Sequence, residues 1–527
     1  MNVQDWQQMS SSSNGFARHP FTVADAGFQL SATDVPDDEL GFFQLFFTDA
    51  LFHEMVHQTN VYAQSKLGPL HLRPHSVWNT WKDVTLEEMK AYIGVILNMA
   101  VNDRPGVFDY FSRDWLGAMP FFADVFCRSR FLQIHWMFHV APLSVTKGPV
   151  RRASKVGNIL TFIRSQCLLN FIPNKDIAID ESTIGFKGRV AFKMYNPQKP
   201  TKWGLRVYVL ADCDTGYIAT FEPYYGRETT QILTRPDLPF TCRIVMHLIE
   251  KLLEKSRGSG YHLYTDRYYT GCELACELLK VKVHLTGTVQ KNRKGLPAEV
   301  KKKMKLKQNE VVAYKSADQI MCLVWQDKRP VLMLSTYHNA STQTIQRRQK
   351  TNGVMEEVDI QKPVVIIDYT AKMGAVDRAD HLCTSYNFCR KSLKWWRKLF
   401  FWLLEVSVVN SYILYNINRD ADSEPRVTHL QFRKRLIEQL VGDVRNARKR
   451  RGRPSTQDKA ERLNQRPHFL GQADKNHAKD CVVCSNRHRQ GERKRTVFYC
   501  DTCSRHPGLH PTECFRRYHT LVNYKDD

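Results

Sequence analysis

Residues 176–204, DIAIDESTIGFKGRVAFKMYNPQKPTKWG, decide how the rest of the chain is interpreted. The alternating apolar residues Ile177 and Ile179 predict a short buried strand that ends on Asp180 and carries a carboxylate at its tip. Five basic side chains follow among glycines: Lys187, Arg189, Lys193, Lys199 and Lys202. An acid on a rigid strand beside basic side chains suits chemistry on an anionic substrate, with a divalent cation at the acid and phosphate at the bases.

The composition favours a polyanionic partner. The 527 residues carry a formal net charge of +24, and a chain of this length is expected to form about three or four domains. Nucleic acid is the first candidate for such a charge, and an anionic membrane surface is the second. The most apolar segment, residues 399–415, contains Glu405 and Asn410 and is shorter than the ~20 apolar residues that a bilayer requires. We therefore interpret it as a buried helix and expect no membrane partner.

The first half of the chain changes from helical to strand-rich patterns. Residues 1–38 are polar and predict a mobile tail, whereas residues 39–172 have the periodicity of a helical region. Residues 173–290 then predict three strands, a helix, a strand that ends in Asp266, a second helix and a further strand. This order, with an acid at the end of the first and fourth strands, is that of an α/β, RNase H-like catalytic core.

The second half returns to this core after an interruption. Residues 291–362 are basic and irregular, and we expect a β-rich module inserted outside the sheet. Residues 363–420 predict a helix that carries Asp377 and Asp380 on one face, followed by a long apolar helix. A basic linker over residues 421–470 and a small cysteine-rich domain over residues 471–527 complete the chain.

Three acids, Asp180, Asp266 and Asp377, come from separate elements of one predicted domain. Phosphodiester cleavage with two divalent ions needs oxygen ligands that hold the ions about 3.5–4 Å apart. Carboxylates at that distance repel and raise one another's pKa, and bound Mg²⁺ removes the conflict. However, a single Asp is more often a cap or turn residue, so spacing alone does not establish the site.

Four segments, in order, resemble the piggyBac transposase family. They are DESTIGFKGR with KMYNPQKPTKWG, then LYTDRYYT (263–270), YTAKMGAVDRADHL (369–382) and KWW (394–396). The resemblance extends from about residue 40 to the C-terminus, and it implies a cut-and-paste DNA transposase that excises at TTAA sites through hairpin intermediates and works as a homodimer.

The same resemblance assigns roles to residues. It implies that Asp180, Asp266 and Asp377 bind Mg²⁺ or Mn²⁺, that Asp380 is a supporting acid, and that the helical region serves dimerisation and DNA binding. The sequence departs from the family at Thr370, where Asn is usual after Tyr, and at His381, where Gln is frequent. Neither change removes a carboxylate.

The basic linker contains a motif that looks like an AT-hook. In Arg451-Gly452-Arg453-Pro454 the arginines flank a glycine, as in segments that lie in an A·T-rich minor groove. Residues 433–466 carry twelve Lys or Arg against four acids, a net of +8, which predicts a segment that stays extended until it meets phosphate. A nuclear import signal is the alternative, and both readings predict a nuclear protein.

The C-terminal residues have the spacing of zinc ligands. Two CxxC pairs are followed by further thiol and imidazole groups: Cys481, Cys484, Cys500, Cys503, His510, Cys514 and His519. Seven ligands fit a cross-brace with two Zn²⁺ ions if the eighth is His468, His477, His488 or His506. The resemblance implies that this domain binds transposon-end DNA, and a RING or PHD module that recruits other proteins is the alternative.

Two interpretations of the whole chain stay open. An intact acid triad favours an active transposase, because DNA binding alone needs no three carboxylates. A domesticated transposase descendant, which binds DNA and no longer moves it, would show the same sequence if captured recently. A zinc-dependent chromatin or ubiquitin adaptor is a third and weaker interpretation.

Overall fold

The structure is a computed structural model that describes residues 5–9, 16–31, 33–69, 71–142, 153–197, 199, 201–302, 304–351, 354–388, 390–449, 461–464, 466–486, 491–521 and 524. The chain forms two compact units, residues 1–445 and 446–527. Each unit is described by itself below.

The first unit is an α/β structure. Its strands are β1 (Gln7–Met9), β2 (Gly27–Phe28), β3 (Phe171–Ile172), β4 (Asp176–Gly185), β5 (Met194–Tyr195), β6 (Trp203–Asp212), β7 (Ile218–Pro223), β8 (His262–Thr265), β9 (His284–Thr288), β10 (Val311–Lys315), β11 (Met321–Gln326), β12 (Pro330–Ser335), β13 (Thr342–Thr351) and β14 (Val354–Pro363). Its helices are α1 (Glu39–Gln44), α2 (Asp49–Leu67), α3 (Leu86–Val101), α4 (Pro120–Val125), α5 (Arg128–Met137), α6 (Asn158–Asn170), α7 (Arg227–Ile232), α8 (Phe240–Ser256), α9 (Cys272–Lys280), α10 (Ala298–Lys301), α11 (Val364–Lys372), α12 (Ala375–Ser385), α13 (Trp395–Ala421) and α14 (His429–Lys449).

The strand β4 lies at the centre of the sheet. It pairs in parallel with β8, which pairs in parallel with β9, and on its other side β6 and then β7 are antiparallel. Ile177 and Ile179 are fully buried, because both faces of this strand are covered. The predicted order of strands and helices is therefore confirmed, and the strand order is that of an RNase H-like core.

The first strand is longer than the sequence predicts. It does not end on Asp180 but continues for five residues, because its second half pairs with β6 as far as Gly185 opposite Gly204. Gly204 permits this pairing, since a Cβ there would lie only 2.6 Å from the carbonyl oxygen of Ile184. Asp180 therefore lies in the middle of the strand, with neighbours on both sides.

Residues 291–362 are only partly a separate module, contrary to expectation. The strands β10, β11 and β12 extend the main sheet, since β12 pairs with β9. Only the two-stranded ribbon β13–β14 lies outside it. The sequence did not predict this continuation of the sheet, because the basic residues before β10 lack the alternating apolar pattern of a strand.

The polar N-terminal segment is also ordered in part. Gln7–Met9 forms the edge strand β1 next to β10, and Gly27–Phe28 pairs with β3. Phe16 and Val23 are buried. The prediction of a mobile tail over residues 1–38 is therefore wrong for these described parts, whose few apolar side chains are enough to fix them.

The long apolar helix α13 passes through the core of the first unit. It is long and apolar enough to cross a membrane by length and composition, but 89% of its most apolar window is buried inside the protein. Glu405 in its middle is 2% exposed and forms an ion pair with Arg433 of α14. The helix is therefore a core helix, as the acid and amide in it predicted.

The predicted linker over residues 421–470 begins too early. Most of it up to residue 449 is the helix α14, which buries Phe432, Leu436 and Leu440 against the core. These apolar residues recur at helical spacing, and the surrounding charge obscures the pattern. The prediction of an extended chain is therefore wrong for residues 433–449, and the AT-hook-like residues Arg451 and Arg453 lie outside the described residues.

The second unit is small and organised around cysteines. Its strands are β15 (Leu470–Gln472), β16 (Lys479–Asp480), β17 (Arg495–Thr496) and β18 (Phe498–Cys500), followed by a helix over Glu513–Thr520. Arg462 is 3% exposed and donates to the carbonyl oxygens of Tyr518 and Leu521 at 2.5 and 2.7 Å. The folded domain therefore includes residues before the predicted boundary at 471.

Candidate active site and metal-binding residues

Asp180 lies in β4, and Asp266 directly follows the neighbouring strand β8. The last paired residues of β4 and β8 in this register are Ile179 and Thr265, and each is followed directly by one of the two acids. Backbone amides hold both carboxylates: the Glu181 N–H donates to Asp180 Oδ1 at 2.7 Å, and the Tyr268 N–H donates to Asp266 Oδ1 at 2.8 Å. The two predicted acids are thus brought to one edge of the core.

The electrostatics of this pair are unfavourable for two negative charges. Burial, followed by the nearby charges of Glu181 and Asp266, raises the pKa of Asp180 to about 7. Burial also raises the pKa of Asp266, and the charge of Glu181 adds to the effect. A buried group of carboxylates in this state gains stability from any cation that binds between them.

Asp380 lies against the same strand as Asp180, on the helix α12, which packs on β4. The Ser182 hydroxyl donates to Asp380 Oδ1 at 2.5 Å, and Ser182 lies two residues beyond Asp180 on the same face of β4. Burial raises the pKa of Asp380 to about 6, and the charge of Asp377 contributes. The positive charge of Lys199 lowers the pKa of both Asp180 and Asp380, so one ammonium group partly compensates the charge of both carboxylates.

Asp377 is more exposed than the other predicted acids. It lies in the first turn of α12 and is exposed, whereas Asp380, one turn later, faces the sheet. Among the described residues, the groups of three or more ligand side chains whose atoms lie within 4.8 Å of one another consist of Cys and His, so the acids do not form a closed cluster. The structure places Asp180 close to Asp266 and holds Asp380 against β4 through Ser182, while Asp377 is exposed.

Sequence reasoning did not identify Glu181 as part of this site. Its carboxylate accepts a hydrogen bond from the Tyr269 hydroxyl at 2.8 Å and lies 3.7 Å from the Arg206 guanidinium. Because Tyr269 follows Asp266 closely in the chain, this bond ties the two acid-bearing strands together. In the sequence, only the position of Glu181 next to Asp180 and the pair Tyr268-Tyr269 next to Asp266 could have indicated this contact.

The five basic residues of the opening stretch lie in three different surroundings. Lys199 lies at the acids and donates to the Glu181 carbonyl oxygen at 2.9 Å. Lys193 lies with its Nζ 4.7 Å from the Trp203 ring centre, where it also donates to the Gly188 carbonyl oxygen at 3.1 Å. The other three are exposed beyond the acids: Lys187, Arg189 and Lys202.

The second unit arranges eight Cys and His side chains as two groups of four. One group is Cys481, Cys484, His510 and Cys514, and the other is His468, Cys500, Cys503 and His519. Within each group the ligand atoms lie within 4.8 Å of one another. Tetrahedral Zn²⁺ with bonds of about 2.0–2.3 Å requires comparable separations between its ligands, so both groups fit that ion.

The eighth side chain of these two groups is His468. Its Nδ1 lies 3.7 Å from the sulfur atoms of both Cys500 and Cys503. His477 and His506 belong to neither group, and His488 lies outside the described residues. The two groups alternate along the chain, which is the cross-brace arrangement that the ligand spacing predicted.

Comparison with known proteins identifies two regions. Residues 38–412 match the sequence model of the family described as Transposase IS4, and residues 464–520 match a DDE_Tnp_1-like zinc finger. The human PiggyBac transposable element-derived protein 3 is 25% identical over 483 residues, which are 90% of this chain and 75% of that protein. The human PiggyBac transposable element-derived protein 5 is 23% identical over 451 residues, or 81% of this chain and 79% of that protein.

A solved structure has the same fold. It is the cryo-electron microscopy structure of a piggyBac transposase synaptic complex with hairpin DNA, which is 23% identical and superposes with a TM-score of 0.70. The match covers 88% of this chain and 95% of that chain. With the family match over most of the chain and the zinc finger after it, this protein belongs to the piggyBac-type family of transposases.

Proposed function

We propose that this chain is a cut-and-paste DNA transposase that cleaves and joins strands at transposon ends and TTAA targets by divalent-metal chemistry. The observation that supports this most directly is that Asp180 and Asp266 lie close together in the RNase H-like core while Ser182 holds Asp380 against the same strand, β4. Burial raises the pKa of all three carboxylates, and the charge of Lys199 acts on Asp180 and Asp380. A protein that only binds DNA gains nothing from such a group.

The donor set fits Mg²⁺ or Mn²⁺. The available ligands are carboxylate oxygens, which hard divalent cations prefer, and the repulsion between Asp180 and Asp266 has no other complete compensation in the described residues. Asp180 and Asp266 would hold one side of the site, and Asp380 or Asp377 would complete it from α12. When bound, divalent ions activate the attacking oxygen and stabilise the leaving oxygen in phosphodiester cleavage.

The protein's own residues prepare this site in three ways. The strands β4 and β8 fix the separation of Asp180 and Asp266, and their amide hydrogen bonds orient the carboxylates. Ser182 fixes Asp380 against β4. Lys199 offers a positive charge beside the acids, where the scissile phosphate would lie.

Other parts of the proposal concern binding. We propose that the two Cys/His groups hold two Zn²⁺ ions, and that this domain binds transposon-end DNA. The exposed lysines beyond the acids and the AT-hook-like residues Arg451 and Arg453 would contact the DNA backbone and an A·T-rich minor groove. A homodimer in the nucleus is the expected working form, as the resemblance and the basic segment imply.

The second candidate is a domesticated, transposase-derived DNA-binding protein. The names of the human relatives, which are described as transposable element-derived, favour it. The exposed position of Asp377 is compatible with it as well. Matching terminal inverted repeats flanked by TTAA around the gene would favour a live element over a captured one.

Single substitutions of the acids test the catalytic proposal. We expect Asp180→Asn, Asp266→Asn and Asp380→Asn each to abolish Mn²⁺-dependent nicking of a plasmid that carries TTAA sites, and to abolish the rise in melting temperature that Mn²⁺ produces. Asp443, an exposed acid of α14, provides the matched control as Asp443→Asn. Retained nicking in all three acid variants would show that the chemistry lies elsewhere, and Asp377→Asn decides whether the exposed acid is needed.

A further inference from the structure

Glu181 lies on the face of β4 opposite Asp180 and connects this strand to the turn after β8. Side chains alternate along a strand, so Glu181 points away from the face that Asp180 and Ser182 share. Its Oε1 accepts a hydrogen bond from the Tyr269 hydroxyl at 2.8 Å and lies 3.7 Å from Arg206 Nη1. Only 13% of the Glu181 side chain and 15% of the Arg206 side chain are exposed. The carboxylate is thus fixed by groups from two other parts of the chain.

The turn that carries Asp266 is closed by its own hydrogen bonds, and Tyr269 is part of it. The Tyr268 N–H donates to Asp266 Oδ1 at 2.8 Å, and the Tyr269 N–H donates to the Asp266 carbonyl oxygen at 3.2 Å. Tyr269 is 1% exposed, and its ring packs edge to face on Tyr208 of β6 with the ring centres 6.3 Å apart. Because this buried ring cannot move without its backbone, the bond between its hydroxyl and Glu181 fixes the turn, and with it the Asp266 carboxylate, against β4.

This hydrogen bond alone does not account for an acid at position 181. A glutamine would accept the same bond from Tyr269 without adding a negative charge. Burial raises the pKa of Asp180 and Asp266, and the charge of Glu181 raises both further, so this charge is unfavourable for the empty site. A divalent cation held by those two acids would gain from the same charge at short range. An acid at this position therefore suits a site that holds a cation.

The surroundings of Glu181 argue against a role as a ligand of that cation. The oxygen that accepts from Tyr269 also faces the Arg206 guanidinium, whose positive charge repels a metal ion at this oxygen. The Cζ of Arg206 lies 6.0 and 5.8 Å from the ring centres of Tyr208 and Tyr268. The guanidinium is therefore part of the same network and keeps the carboxylate turned towards β6.

We propose that Glu181 is a positioning residue of the catalytic site, which acts on the divalent ion without binding it. Through Tyr269 it holds the Asp266 carboxylate in place relative to Asp180, and through its charge it strengthens the attraction of the site for the ion. The proposal rests on the proposed function, because it needs the acids to bind a metal ion. It deepens that function by assigning part of the metal affinity to a residue outside the ligand set.

The test measures the binding of Mn²⁺ to the full-length chain, loaded with zinc and freed of excess metal. Free Mn²⁺ is followed by electron paramagnetic resonance during a titration, and Asp180→Asn defines the signal of the catalytic site. We expect Glu181→Gln, which keeps the hydrogen bond and removes the charge, to weaken this binding by about tenfold. Tyr269→Phe, which keeps the charge and removes the hydrogen bond, should weaken it by about the same factor. In a Glu181→Ala background, Tyr269→Phe should have no further effect, since the bond is already absent.

An acid and a tyrosine elsewhere in the first unit provide matched controls. Glu88→Gln removes an acid that pairs with Arg130 at 2.5 Å, and Tyr217→Phe removes a buried hydroxyl that donates to the Cys167 carbonyl oxygen at 2.7 Å. Both should lower the melting temperature in the presence of a chelator and leave the affinity for Mn²⁺ within about twofold of the wild type. A loss of stability alone then does not explain a weaker affinity in the test variants.

Plasmid nicking gives a second measurement. At limiting Mn²⁺ we expect Glu181→Gln to nick about tenfold more slowly than the wild type, and at saturating Mn²⁺ to regain most of the wild-type rate. Asp180→Asn should stay inactive at every concentration of the ion.

The opposite outcomes separate this proposal from the proposed function. If the wild type binds no Mn²⁺, or if Asp180→Asn binds it equally well, the metal site and the positioning role are both wrong. If binding depends on Asp180 but Glu181→Gln and Tyr269→Phe keep the wild-type affinity, the positioning role is wrong and the proposed function stands. If Glu181→Gln is as inactive as Asp180→Asn at every Mn²⁺ concentration, Glu181 takes part in the chemistry directly and the positioning role is again wrong.

Discussion

Replacing Glu405 by Gln is expected to lower the free energy of unfolding of the first unit by about 3–5 kcal/mol. The ion pair between Glu405 and Arg433 joins α13 to α14, and the two side chains are 2% and 0% exposed. Arg433 also donates to the Tyr386 carbonyl oxygen at 3.2 Å and lies over the Tyr386 ring. The substitution leaves this buried guanidinium without its countercharge, and the loss of that compensation is the source of the cost.

Two further variants test whether the unpaired buried charge causes this loss of stability. The double substitution Glu405→Met/Arg433→Met removes both charges, and we expect it to recover at least half of the loss because apolar side chains of similar volume are often tolerated in place of a buried pair. The exposed pair between Arg426 and Asp420 is the matched control, and Asp420→Asn should cost less than about 1 kcal/mol.

Urea denaturation followed by tryptophan fluorescence measures these changes. All ten tryptophans precede residue 446, so the signal reports on the first unit alone. A loss for Glu405→Gln no larger than that for Asp420→Asn would refute the reasoning. The coupling between the two charges would also be disproved if the double variant were as unstable as the sum of the single variants Glu405→Met and Arg433→Met.

Three other predictions concern protons and metals. Burial lowers the pKa of His135 and His429 to about 3, so the stability that comes from keeping them neutral is complete above pH 6.5. As the pH falls below 6.5, each histidine should lower the free energy of unfolding by about 1.4 kcal/mol per pH unit. Urea midpoints measured between pH 7 and 5 test this prediction. Burial raises the pKa of Asp180 to about 7, so the free energy of unfolding falls as the pH rises from about 4 to 7. In the presence of a chelator, Asp180→Asn should therefore stabilise the protein by roughly 2–4 kcal/mol at pH 8 and by little at pH 4. Equal effects at the two pH values would contradict this prediction. Finally, His468→Ala should reduce bound zinc from two ions to one in native mass spectrometry, while His477→Ala keeps both.

The order of elements was predictable because it depends on local patterns. Alternating apolar residues predicted β4, and helical spacing predicted α12 and α13, without knowledge of the partners they meet. The end of β4 was not predictable, because the five residues after Asp180 are strand only through pairing with β6. The place of β10–β12 was missed for the same reason, since membership of a sheet depends on a neighbour far along the chain.

The site was predictable in its residue types and less so in its geometry. Spacing predicted that Asp377 and Asp380 share a face of one helix, but which of them meets β4 depends on how α12 rotates against the sheet. Spacing likewise predicted seven Cys and His ligands. The eighth, His468, lies 32 residues from Cys500 in sequence, and only folding brings the two together.

The alternation of the two Cys/His groups has a consequence for how the C-terminal domain is made. The shortest segment that contains the whole first group, residues 481–514, also contains Cys500 and Cys503 of the second. No shorter stretch of the chain can complete one group independently. During synthesis the first group becomes complete only five residues before the second, so the domain has almost no opportunity to fold in halves. A metal ion that binds early therefore meets incomplete groups, and the final pairing is selected only when residues 468–519 are all present.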